Sequence, residues 1–107
     1  MYKKISKEEK VTRIISKEES ADNYLTKETT KNFSLAVTKL NGEMTITTKN
    51  ERAYYFTNAN VDFIIDNEQI HCDSGDVLYI DKDTTYTAKG NFEAVTVNVP
   101  AYGVINS

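Results

Sequence analysis

From Phe33 onward the chain alternates. Phe33, Leu35 and Val37 are interleaved with Ser34, Ala36 and Thr38, the period-two pattern of a strand with one buried face. Met44 to Thr48 alternates again, and Tyr54 to Phe56 and Val61 to Ile65 are apolar runs on either side of the polar Asn58-Ala59-Asn60. Gln69 to Cys72, Val77 to Ile80, Thr84 to Ala88 and Phe92 to Val99 complete the set. Between these runs stand turn residues. Asn41-Gly42 predicts a hairpin, because both residues tolerate positive φ. Asp66-Asn67, Ser74-Gly75 and Gly90-Asn91 predict further turns, and Pro100 ends the last strand because it has no N–H for a ladder. Short strands at this density, with no helical period, predict an all-β sandwich or barrel over residues 33–107.

Residues 1–32 read differently, as a charged segment without sustained patterning. Ile5-Ser6-Lys7-Glu8-Glu9 recurs as Ile15-Ser16-Lys17-Glu18-Glu19, and each copy places Glu three residues after Ser, the capping-box spacing. Neither copy leads into an amphipathic run, so single turns are expected, with Val11 to Ile15 as an edge strand. The chain of 107 residues carries a net charge of -3, and no basic stripe suits a phosphate backbone, so nucleic acid is not an expected partner. No apolar run reaches transmembrane length, and the N-terminus lacks the apolar core of a signal peptide. Cys72 is the only cysteine, which fits a reducing compartment. A cytoplasmic protein, with no membrane partner, is the expectation.

The stretch Gly75-Asp76-Val77-Leu78-Tyr79-Ile80-Asp81-Lys82-Asp83-Thr84-Thr85-Tyr86 resembles the second motif of the cupin superfamily. Gly75 matches that motif, while Asp81 replaces its proline, Asp83 its second glycine and Tyr86 its metal-binding histidine. Upstream, Glu51 stands seven positions before Asn58, which places Thr45 and Thr47 where the first motif has its two histidines. A one-residue shift would put Arg52 at the glutamate position and exchange the two faces of the strand. The resemblance spans Phe33 to Val99. It implies a double-stranded β-helix, or jelly roll, of the small single-domain kind that has lost its metal-binding histidines, similar to ethanolamine-utilisation-type cupins. It also implies a homodimer, for which the N-terminal segment offers an edge strand to exchange.

Thr45, Thr47, Glu51 and Tyr86 are then the candidate site. One carboxylate, two neutral hydroxyls and a phenol make a poor transition-metal site, so neither metal nor cofactor is expected. The site suits a small polar ligand, a sugar or an organic acid, at the barrel mouth. Two other readings stay open. One is a small isomerase or epimerase with Glu51 as base and Tyr86 as acid. The other is a structural or assembly protein whose barrel is filled. Tyr54 and Tyr79 read as barrel-filling aromatics. His71 and Cys72 are adjacent on a strand and therefore face opposite ways, which suits structural or surface roles.

Overall fold

Residues 1–104 are described by the computed structural model, and they form seven strands and no helix: β1 (Val11–Ile14), β2 (Glu19–Leu25), β3 (Ser34–Thr48), β4 (Glu51–Ile65), β5 (Glu68–Asp73), β6 (Val77–Ile80) and β7 (Thr84–Val99). All pairings are antiparallel, in the order β1-β2-β3-β7-β4-β5, with β6 on the first half of β4. None of the described residues forms a helix long and apolar enough to cross a membrane.

β3, β4 and β7 have 15, 15 and 16 residues, well beyond the ordinary ~5–6. Their length corrects the turns expected at Asn41-Gly42 and Gly90-Asn91, because neither pair reverses the chain. Asn41 lies opposite Asn91 and Gly42 opposite Gly90, while Asn91 and Gly90 also pair with Asn60 and Val61. The positive φ that marks a hairpin is used here to bend strands that continue: Gly42 and Gly90 have φ of 135° and 131°. All three long strands therefore bend along one line.

That bend folds the sheet over onto itself. Tyr54 and Phe63 are nine residues apart on β4, about 30 Å if the strand were straight. Their ring centroids are 5.7 Å apart. One half of the barrel comprises β1, β2, β6 and the sections of β3, β7 and β4 paired with them. The opposite half comprises β5 and the remaining sections. Near the bend the halves are sealed by Phe56, Phe63 and Phe92, with Phe92 5.5 Å from Phe56 and 5.6 Å from Tyr54.

The charged N-terminal segment is part of this sheet. β2 runs beside β3 from Leu35 to Leu40, so the ladder crosses the division expected at residue 32. Both Ser-Lys-Glu-Glu copies form single turns. Ser6 N–H donates to Glu9 Oε1 at 3.2 Å, and Ser16 Oγ accepts from the N–H groups of Glu18 and Glu19 at 3.1 Å, closing the β1–β2 connection.

The bend makes a testable distinction between two glycines. A Cβ on Gly90 would overlap the Asn60 carbonyl, which is fixed backbone, whereas one on Gly42 would meet the Glu18 side chain, which can swing away. Both substitutions incur the strain of a positive φ, about 1–3 kcal/mol. Gly90→Ala is expected to lower stability in urea unfolding by clearly more than Gly42→Ala, and equal losses would contradict this account of the bend.

Candidate functional site

Away from the bend, the inner wall of the first half-barrel is unusually polar. Ser34, Ala36 and Thr38 of β3 point inward, as do Thr96 and Asn98 of β7, while Leu35, Val37, Val95 and Val97 point out. The alternation at Phe33–Thr38 is therefore real but reversed: the face expected to be buried lies outside. Thr38 and Thr96 satisfy each other across the ladder at 2.7 Å.

At the centre of this wall is Arg52, 7% exposed. Its Nε donates to Asn98 Oδ1 at 2.8 Å and its Nη1 to the Tyr86 hydroxyl at 2.8 Å. Both partners are neutral. Among the described residues no carboxylate forms an ion pair with Arg52, and Nη2 has no hydrogen-bond partner. A buried guanidinium retains its charge, and desolvation is costly unless something compensates it. Tyr86 and Tyr54 then share one hydrogen bond between hydroxyls at 2.6 Å. Two phenols have two protons and this bond uses one. With Tyr86 donating, the second proton belongs to Tyr54, which lines the cavity. Burial, chiefly, and the neighbouring Tyr86 push the Tyr54 phenol well above its ordinary value, against the pull of Arg52. It is therefore a hydrogen-bond donor at neutral pH.

These groups border a cavity of about 110 Å³ inside the barrel, which also takes in Glu19 of β2. Arg13 stands at its edge, 5.6 Å above the Tyr102 ring. A wider recess of about 440 Å³ adjoins it, sharing Ile46, Arg52 and Tyr102 and adding Lys49 and Lys82. Burial raises the Glu19 carboxyl above its ordinary value, although Arg52 and Arg13 pull the other way. The cavity thus offers positive charge, two donors unused within the chain and one carboxyl held above its ordinary value by burial. Its chemistry suits an anion.

No protein-family model matches the sequence, and no curated protein does. Solved structures do match in shape. KdgF from Halomonas sp. aligns with a TM-score of 0.78 at 9% identity, over 96% of this chain and 97% of that one. A putative ethanolamine utilization protein Q from Salmonella typhimurium aligns at 0.71 and 13% identity, over 78% and 70%. An RmlC-like cupin from Shewanella frigidimarina aligns at 0.75 and 10% identity, over 90% and 88%. The fold is that of the cupins.

Against the cupin motifs the sequence candidates divide cleanly. Thr45 and Thr47 are on the outer surface, paired with Thr87 and Thr85 at 2.8 and 2.6 Å. Glu51 is also outside, accepting the Tyr79 hydroxyl at 2.7 Å, and this bond, chiefly, pushes the Tyr79 phenol up to about 12. Only Tyr86 is inside, 1% exposed. The chain adopts the other register, in which Ile46, Thr48 and Arg52 take the inward positions. Glu51 and Tyr86 lie on opposite sides of the wall, so they cannot act on one substrate as base and acid. Tyr79, expected to fill the barrel, stands outside with Glu51, whereas Tyr54 is inside.

The metal that cupin motifs imply does not fit this set. Ile46 is an alkyl group, Thr48 Oγ1 donates to the Asn50 carbonyl at 2.8 Å, and Arg52 is itself a cation. No group of three or more His, Cys, Asp or Glu among the described residues could hold a metal ion. The second motif keeps its backbone demands: Gly75 has φ of 92°, and Asp83, in place of the second glycine, has φ of 61°. His71 and Cys72 face opposite ways. His71 bonds Asp62 and Asp73 outside at 2.8 and 3.0 Å, and Cys72 is buried, its thiol pushed up to about 11 mainly by desolvation.

Two outcomes follow from this geometry. Tyr86→Phe strands both Arg52 Nη1 and the Tyr54 hydroxyl in the interior, and is expected to cost about 1–3 kcal/mol in urea unfolding. Thr45→Val or Thr47→Val, outside, should remain within about 0.5 kcal/mol of the parent. The second outcome concerns Glu19. Because its folded value is raised, it contributes stability below its ordinary 4.5, and that contribution is lost as pH rises through the raised value. Glu19→Gln should therefore raise the melting temperature near pH 7 but not at about pH 4, and a gain of the same size at both would contradict the assignment.

Proposed function

We propose that this chain is a metal-independent cupin-like module that takes a small organic acid into the barrel, with the carboxylate seated on Arg52. The observation that supports this is the buried guanidinium held only by neutral partners, its Nη2 unpaired beside a cavity. A ligand carboxylate would accept from Nη2 and, where Tyr86 donates to Tyr54, from the Tyr54 hydroxyl, since both residues line the cavity. Glu19, protonated or ionised, is placed to meet a hydroxyl on the same ligand. A cavity of about 110 Å³ is smaller than the ~150 Å³ that admits benzene, so the ligand is an acid of few carbons unless it extends into the adjoining recess. The buried free thiol of Cys72 agrees with a reducing, cytoplasmic setting.

A sugar would need neutral donors and acceptors, and a guanidinium without an ion-pair partner among the described residues gives it no advantage over an acid. The distinction can be measured by thermal shift and calorimetry with short hydroxy and keto acids, their amides, and monosaccharides. The acids are expected to stabilise the chain and the amides and sugars to fail. Arg52→Gln should weaken acid binding about ten- to hundredfold, while Arg52→Lys retains part of it. Sugar binding that survives Arg52→Gln would overturn the organic-acid reading.

A further inference from the structure

The cavity of about 110 Å³ and the recess of about 440 Å³ meet at Arg52, and Ile46, Arg52 and Tyr102 line both. The first two belong to long strands. Ile46 packs against the hydrophobic core from β3, and Arg52 is fixed from β4 by Asn98 and Tyr86. Tyr102 lies beyond the last strand, and its backbone is tied down on several sides. Asn50 Nδ2 donates to the Pro100 carbonyl at 2.9 Å, Ala101 N–H to the Lys31 carbonyl at 3.1 Å, and Tyr102 N–H to Ser34 Oγ at 2.9 Å. Ala101 is completely buried. Val104 N–H then donates to the Ala101 carbonyl at 3.0 Å, and Gly103, with φ of 88°, supplies the positive φ of that turn. The ring is held from the opposite direction. Arg13 reaches it from β1, with Nη1 donating to the Tyr102 hydroxyl at 3.3 Å and Cζ 5.6 Å from the ring centroid. Exposed side chains ordinarily hop between rotamers. Tyr102 is 47% exposed, yet it is anchored at both ends.

We propose, resting on the organic-acid reading of the cavity, that Tyr102 is the wall that sets the length of the acid, and that Arg13 positions it. With the carboxylate fixed on Arg52, any added carbons must find room on the far side of the ligand. The ring confines them to the small cavity, so the chain as it stands takes acids of few carbons. Without the ring the two hollows become one, and a longer acid extends along Arg52 into the recess. The chemistry there favours a second negative group. Lys49 and Lys82 line the recess. Lys49 shares only a loose pair with Asp83, at 3.7 Å with both side chains well exposed, and Lys82 forms no ion pair among the described residues. A linear dicarboxylic acid of about six carbons is therefore the class that the ring excludes, since a cavity smaller than the ~150 Å³ that admits benzene has no room for it. Arg13 acts through the ring. Its strand, β1, pairs with β2 alone and its four residues are all exposed, so this support comes from the edge of the sheet and not from the core.

The test is calorimetric titration of the intact chain with propionate and malonate, which are short, and with hexanoate and adipate, which are long. The readout is the ratio of long-acid to short-acid Kd. The parent is expected to prefer the short acids. Tyr102→Ala should lower the ratio about tenfold or more, and adipate should gain more than hexanoate because its second carboxylate reaches the lysines. Tyr102→Phe keeps the ring and should keep the parent's ratio. Arg13→Gln should lower the ratio part of the way, and Arg13→Lys, which returns a cation to the ring, should restore it. Tyr102 lies outside the strands, so the fold should survive its loss, which circular dichroism checks. If Tyr102→Ala does not fold, Tyr102→Val gives the same readout. Short-acid binding with an unchanged ratio in Tyr102→Ala would overturn the wall and leave the organic-acid reading standing. A ratio lowered equally by Tyr102→Phe would also overturn it, because the hydroxyl and not the ring would then set the length. Equal gains for adipate and hexanoate would overturn the part assigned to Lys49 and Lys82. Failure of all four acids to bind the parent and Tyr102→Ala would overturn the organic-acid reading and the wall together.

Discussion

Everything in this molecule depends on three strands bending at the same level. A flat sheet of β3, β7 and β4 would have two open faces and no interior. Two glycines at φ values closed to other residues, facing each other across the ladder, let the strands bend without breaking their pairing. The pairing is what makes the bend collective, because Gly90 also lies against the Asn60–Val61 backbone of β4. Once the halves face each other, the aromatic residues beside the bend seal one end. The other end is left for polar groups.

That division reverses the usual rule for half the barrel. A strand with apolar residues on one side normally turns them inward, because burying them is favourable. In β7, Val95 and Val97 face out and Ala94, Thr96 and Asn98 face in. Most inward groups are satisfied: Thr96 bonds Thr38, Asn98 bonds Arg52, and no fully buried side-chain polar atom among the described residues lacks a partner, while Arg52 Nη2, which has none, opens to the cavity. The neutral inward groups therefore incur little desolvation penalty. What it forgoes is the burial of the valines within one chain.

The same reversal explains what the sequence could and could not disclose. The all-β class, the Gly75 turn and the kinship of Gly75–Tyr86 with a cupin motif were legible, because each depends on local conformational demands, whereas the strand count was not, since Gly42 and Gly90 bend strands that continue. Asp83 shows this well: it lacks the glycine but adopts the positive φ that the glycine would supply. The face of each strand was not legible. Period-two patterning says which residues lie together but not which side is the inside, and hydrophobicity gives the wrong answer where the interior is a polar cavity. Thr45, Thr47 and Glu51 were misplaced for that reason, by a single residue, and Arg52 was found only at the shifted register. β2 was missed because Glu19–Leu25 mixes Ser, Asp and Asn into the strand, which suits a cavity wall better than a core.

Arg52 shows why the two faces must be considered together. A guanidinium in the wall of a small barrel is tolerable only with fixed dipoles around it, and Asn98 and Tyr86 are such dipoles. Asn98 can reach inward because its neighbours Val97 and Val99 point out, so the position that orients Arg52 and the positions that form the apolar exterior are set by one alternation. A one-residue slip of β7 would turn valine toward the guanidinium and asparagine toward solvent, losing the cavity and the apolar face together. Nothing in β7 alone prevents that slip. Its register is held from both sides, by fifteen paired positions with β3 and by the glycine crossing with β4.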